Sequence, residues 1–151
     1  MVQLYKSAAS LRIAGDALIP DEISKLLGAS PTYCRTKGEV WHGKRTGREH
    51  VAKKGQWHLH AADREPADLD AQVAEILGKL TQDLLIWLSL SRQFEMDMFC
   101  GWFMDRGDEG ISIFPDTMSA LAARKIELDI CIYGPPNELG TVIRGTWLPD
   151  K

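Results

Sequence analysis

The stretch "IPDEISKLLG", Ile19 to Gly28, opens with a proline and two acids and continues with apolar residues at helical spacing. Pro20 suits the first helical turn, because the N–H it lacks would have no partner there. Asp21 and Glu22 place negative charge at the positive end of the helix dipole. Ile23, Leu26 and Leu27 fall at i, i+3 and i+4 and form one apolar face. Gly28 suits the residue after the helix, and Pro31 blocks continuation. The string therefore predicts a helix of about two turns. The opening recurs in "FPDTMSALAARK", Phe114 to Lys125, with the frame P-D-x-x-S-x-L in common. Here Arg124 and Lys125 sit at the negative end of the dipole.

Each copy follows a segment that reads as a strand. The first strand is expected over Gln3 to Ala14, with Leu11 and Ile13 on one face and Arg12 and Ala14 on the other. "QWHLH" alternates Trp57 and Leu59 against His58 and His60. "FEMDMFCGWFM", Phe94 to Met104, sets Met96, Met98, Cys100, Trp102 and Met104 against Glu95, Asp97, Phe99, Gly101 and Phe103. Ile111 to Phe114 reads as a short strand. "IELDICIY" is the last clear strand, with Ile126, Leu128, Ile130 and Ile132 buried on one side. Between the second and third of these strands, Leu69, Val73, Ile76, Leu77, Leu80, Leu84, Trp87 and Leu88 keep a 3.6 period. Gly78 weakens that helix and Thr81 can cap a restart, so one bent helix or two are expected. The sum is an α+β fold: a ferredoxin-like sandwich, mostly antiparallel sheet with helices on one face, with an internal strand–helix–strand duplication suggested by the repeat. A chain of 151 residues fits one domain, 1–151. Within its C-terminal tail, 134–151, "GPPNELG" is a loop and "TVIRGTWL" can add an edge strand.

Charged residues are 26% and hydrophobic residues 44% of the chain, as in ordinary soluble proteins. The net charge of −3 is unevenly spread. Arg35 to Lys54 holds seven bases and two acids, so the remainder is strongly acidic. This basic loop, 35–55, lacks sustained periodicity apart from a short extended piece around Val40–Trp41. Trp41, His42 and Trp57 lie among its charges, a composition that can stack on single-stranded nucleic acid. The acidic remainder works against nucleic acid, and a solvated loop explains the same residues. Cys34, Cys100 and Cys131 form no C-x-x-C pair, and the start of the chain has no signal-peptide pattern. A cytoplasmic location with reduced thiols is expected. No apolar run is long enough for a membrane span.

The strings "SLRIAGDALIPDEISKLLGASPT" (Ser10 to Thr32), Lys37-Gly38-Glu39, Trp57-x-Leu59 and "GISIFPDTMSALAARKIELDICIY" (Gly110 to Tyr133) resemble the bacterial family known as domain of unknown function four-two-seven-nine. The resemblance runs from about Ser10 to Tyr133. It is carried by turn, cap and core residues, so it implies a shared fold. It brings no established reaction. The basic insertion between Gly38 and Trp57 departs from the family's usual pattern.

"FEMDM" and "IELDI" share the pattern apolar-E-apolar-D-apolar. Alternation puts Glu95 and Asp97 on one strand face and Glu127 and Asp129 on another. If the strands share a sheet, these carboxylates line the side away from the helices, together with Arg12, His58 and His60. Such a face can dock a basic partner, although the solvated side of an antiparallel sheet is polar by default. His58-x-His60 falls short of a zinc site, which needs three or four ligands. No nucleophile elbow, Walker loop or paired-Cys spacing is present. No catalytic residue, metal or cofactor is therefore indicated. The expectation is a non-catalytic binding protein whose partner is a protein, most concretely an immunity protein that covers a basic toxin domain. The alternative is a small enzyme or ligand-binding domain using the sheet-face carboxylates and histidines.

Overall fold

The computed structural model describes residues 2–136. The tail strand expected at Thr141–Leu148 lies outside the described residues. The first expected strand is split at Tyr5 into β1 (Val2–Gln3) and β2 (Lys6–Gly15). Next come α1 (Pro20–Leu27), β3 (Tyr33–Arg35), β4 (Val40–His42), β5 (Glu49–Val51) and β6 (Gly55–His60). The expected long helix is two, α2 (Leu69–Gly78) and α3 (Leu84–Gln93). Then follow β7 (Glu95–Phe103), β8 (Glu109–Gly110), α4 (Pro115–Ala123) and β9 (Glu127–Tyr133).

Five strands form the main sheet in the order β3-β6-β2-β7-β9. β2 pairs antiparallel with both β6 and β7, and β3 pairs antiparallel with β6. α1 thus carries the chain from β2 to β3 and leaves a place that β6 later fills, which is a split βαβ unit. Adding β7 through α2 and α3 completes the four-strand ferredoxin-like order. β9 then extends this sheet by pairing parallel with β7, an addition that needs the α4 crossover. The two P-D-x-x-S-x-L helices consequently sit in connections of different kinds: α1 spans two non-neighbouring strands, α4 two adjacent ones. Their common sequence is a common way to start a helix after an extended segment. Neither Ile19 nor Phe114 caps with its side chain, and Pro follows each. At α4 the missing cap comes from α2, whose Asp70 carboxylate accepts from the Phe114 N–H and the Thr117 hydroxyl.

All four helices contribute to one core on one side of the sheet. Leu11 and Ile13 of β2, Trp57 of β6 and Met98 and Cys100 of β7 are fully buried there, against Ile23 and Leu27 of α1, Val73 and Ile76 of α2, Trp87 and Leu90 of α3 and Leu121 of α4. Ser7 and Gln72 are the polar centre of this core. The Ser7 hydroxyl donates to Gln72 Oε1 (2.7 Å) and accepts from the Asp68 N–H, while Gln72 Nε2 donates to the carbonyls of Ser7 and Ala62. Each polar atom is matched, so the buried pair fixes where α2 docks on β2.

Several expectations change in the structure. Pro20, Ile23 and Leu27 form the buried face of α1, while Leu26 is 45% exposed, because an eight-residue helix resting on a sheet buries a narrower stripe than i, i+3, i+4 implies. Leu84 is 46% exposed because α2 ends at Gly78 and the phase resets before α3. Asp83, not Thr81, caps the restart by accepting from the Leu85 N–H (2.9 Å). Thr81 instead joins the turn to its neighbours: its N–H donates to Leu27 O and its carbonyl accepts from Trp87 Nε1. Ile111–Phe114 is not a strand; the pairing falls one step earlier, where β8 runs parallel to β1. Ile132 is 61% exposed, since β9 is the last strand of the described sheet and runs past the helices there.

The end of α4 carries a strained residue. Lys125 has φ 58°, and the Ile126 N–H reaches back to Leu121 O (3.0 Å) in the six-to-one bond of a Schellman ending. A side chain in this left-handed conformation costs roughly 1 kcal/mol relative to glycine. Lys125→Gly should raise stability by about 0.5–1 kcal/mol in urea denaturation, since the ending stays intact and only the Cβ is lost.

Candidate partner-binding face

Cross-strand register assembles the other side of the sheet row by row. One row runs Tyr33, His58, Arg12, Asp97, Glu127 across all five strands. The rows beside it hold Arg35, Gln56, Ala14 and Glu95 on one side, and His60, Ser10, Phe99 and Asp129 on the other. Directly opposed residues project to the same side of a sheet. All seven expected site residues, Arg12, His58, His60, Glu95, Asp97, Glu127 and Asp129, therefore share the side opposite the four described helices.

Their environments differ. Arg12 is the hub: its Nε and Nη2 donate to the two carboxylate oxygens of Asp97 at 2.7 and 2.6 Å, and Nη2 also approaches Asp129 at 3.4 Å. The hydrogen bond to Asp97 is the main reason the guanidinium pKa rises above its ordinary value. The Arg12 guanidinium also lies 4.3 Å from the centre of the Phe99 ring. Glu95 pairs with Lys54 at 3.2 Å. Glu127 is exposed and forms no ion pair among the described residues. The expected continuous acidic face is thus offset at its centre by Arg12, and the acid of this face without an ion pair among the described residues is Glu127 on β9.

His58 is 7% exposed and so is not a contact residue in the way the sequence suggests. Tyr33 lies 5.2 Å from it, ring centre to ring centre, and His60 lies 6.3 Å away. Burial, with help from His60 and Arg12, lowers its pKa to about 4, so the ring is neutral near pH 7. Its Nδ1 has no hydrogen-bond partner among the described residues. Cys100, buried on the core side, has its thiol pKa pushed up to about 12 by burial, which leaves it protonated and unreactive.

Sequence reasoning missed the aromatic part of this face. Phe103 and Tyr133 stack at 4.7 Å with planes 6° apart, and Phe99 and Tyr33 stand on the same side of the sheet in other rows. Phe99 and Phe103 already stood on the acidic side of the β7 alternation, so the signal was there. The basic loop is also more ordered than expected. β4 and β5 form a hairpin in which Trp41 stacks on His50 at 5.3 Å. Arg35 lies 4.7 Å from the Trp41 ring and 5.3 Å from that of Tyr33, and its Nη1 donates to Glu39 at 2.8 Å. The Trp41 ring is already engaged by Arg35 and His50. Lys37–Asp16 and Lys54–Glu95 fasten the hairpin to the end of the sheet.

A cleft of about 320 Å³ lies between α1 and α3, lined by Ile23, Leu26, Leu90 and Phe94, away from the open face. Among the described residues no three His, Cys, Asp or Glu side chains converge as metal ligands. Among them, too, no helix is long and apolar enough to cross a membrane. Comparisons with curated proteins and with solved structures gave no match. The model of one family, described as Domain of unknown function (DUF4279), matches residues 3–135. That span covers the sheet, all four helices and the open face, and the chain belongs to this family.

Proposed function

We propose that this chain is a non-catalytic binding protein that docks a protein partner on its open sheet face. In the most concrete form it is an immunity protein, and the partner is a basic toxin domain. One observation carries the reading: seven polar and charged residues from four strands converge on a broad side that no helix among the described residues covers. A flat surface of aromatic rings interspersed with charges suits a macromolecule better than a small substrate, which needs a concave site. Glu127 and Asp129 on β9 offer the negative charge that would meet the partner's bases, and Arg12 bridges Asp129 and Asp97. The unbonded cysteines are in keeping with a reducing cytoplasm.

The test is calorimetric titration of this protein with the product of the adjacent gene. The wild type should bind in the nanomolar range, and Glu127→Lys with Asp129→Lys should weaken binding at least about tenfold, roughly 1.4 kcal/mol. Circular dichroism should confirm that the double variant keeps its fold. Undiminished binding by a folded variant would remove β9 from the interface and end this reading.

A further inference from the structure

The open face is electrically bipolar across its width. The β4–β5 hairpin stands beside the β3 edge, where Trp41 meets the Arg35 guanidinium at 4.7 Å, and its turn carries the exposed Lys44, Arg45 and Arg48, which form no ion pair among the described residues. At the opposite side, β7 and β9 carry Glu95 and Glu127, both exposed; Glu95 also meets Lys54 of its own chain at 3.2 Å, and Glu127 forms no ion pair among the described residues. A half-turn about an axis along β2, the central strand of the five, exchanges the two sides of a facing copy. Hairpin then lies over acids twice, once in each direction. The β4–β5 hairpin and Glu95 are both at the end of the sheet where β2 finishes and β7 begins, and a rotation about the strand direction keeps that end in place. The opposite charges therefore meet at one level.

We propose that two copies of this chain associate through their open sheet faces, with the Lys44–Arg48 turn of each over Glu95 and Glu127 of the other. A self-complementary patch of this kind is what a two-fold interface requires. The area is adequate: five strands at about 4.8 Å spacing and some 25 Å of strand length give roughly 600 Å² per copy, about the lower bound for a stable dimer. The rings of Phe103 and Tyr133 supply apolar contact within that area. This association needs no foreign partner. A partner docking on the same face would have to displace the second copy.

Light scattering on the isolated protein at about 200 µM and low salt reads the proposal alone, with the partner absent. The wild type should have twice the 16.9 kDa chain mass, falling toward one chain as salt is raised. Lys44→Glu, Arg45→Glu and Arg48→Glu together should give a monomer, and so should Glu95→Lys with Glu127→Lys. All five positions are exposed; Glu95→Lys also removes the Lys54 contact, so circular dichroism should first confirm that both variants keep the fold. The decisive arm is the mixture: an equimolar blend of the two variants should restore the dimer, because each reversed patch meets its complement. A monomeric wild type, variants that remain dimeric, or a blend that stays monomeric would each overturn the proposal. Failure here leaves the partner titration unaffected, and the reverse also holds.

Discussion

Trp57→Ala should cost about 3–5 kcal/mol of folding stability, the range for removing a buried tryptophan from a packed core. Trp57 is fully buried, lies on β6 between Ile13 of β2 and Cys34 of β3, and donates its Nε1–H to the Ser24 hydroxyl of α1 at 3.0 Å. It is the residue through which the short first helix is held to the sheet. α1 has only eight residues and cannot persist alone in water. A cavity beneath it would release both the helix and the β3 edge that Arg35 and Tyr33 present to the open face. Domain stabilities are only about 5–15 kcal/mol, so the variant should be close to unfolding at room temperature. Trp57→Phe keeps most of the ring volume and loses the hydrogen bond, so a smaller cost of about 1–2 kcal/mol is expected. Urea denaturation followed by circular dichroism measures both. A cost below about 1 kcal/mol for the alanine variant would mean that the site collapses freely and that α1 is anchored elsewhere.

The shared P-D-x-x-S-x-L frame shows what a sequence can and cannot convey here. Pro20 and Pro115 mark the first helical turn because that requirement is local. The serine does not transfer: Ser24 meets Trp57, whereas Ser119 is exposed. Its role depends on which strand lies below, which is a property of topology. The alternation of β7 was legible for the same reason as the proline, since a strand's two faces follow from a period of two. That β9 runs parallel to β7 was not, because nothing within "IELDICIY" encodes the direction of its neighbour. The open face was accordingly found in outline, with all seven residues on the correct side, while its charge balance was not. Arg12 neutralises Asp97 only because register sets them opposite each other. His58 looked like a surface residue because its alternation partner is polar, and its burial comes from packing beside Tyr33, 25 positions away in sequence. The hairpin of β4 and β5 was missed because three-residue strands are too short to show a period. Gln72 carried no signal in the sequence, and only the Ser7 pairing reveals why an amide belongs in the core.

His58 should make the fold acid-sensitive over a defined interval. In the unfolded chain an imidazole titrates near its ordinary value of about 6.5. In the folded protein, burial first and then the charges of His60 and Arg12 lower that value to about 4. The folded state therefore favours the neutral ring and the unfolded state takes up the proton more readily. Above pH ~6.5 both states are neutral at this position and its stabilising difference is fully present. As pH falls from ~6.5 toward ~4, the unfolded chain gains a proton that the folded chain refuses, and stability declines. Below about pH 4 both states are protonated and the loss attributable to His58 levels off at about 3 kcal/mol. His58→Phe keeps a ring of similar size, removes the unpartnered Nδ1, and cannot titrate. The variant should match or exceed the wild type's stability at pH 7 and lack this part of the acid decline. Other groups also titrate in acid in both proteins, so the informative quantity is the difference between the two urea-denaturation curves at each pH. A gap that widens by about 3 kcal/mol between pH 7 and pH 4 is expected. Parallel curves would show that the imidazole gains its proton as easily inside the sheet face as outside it, which a tightly packed Tyr33–His58–Arg12 row would not permit.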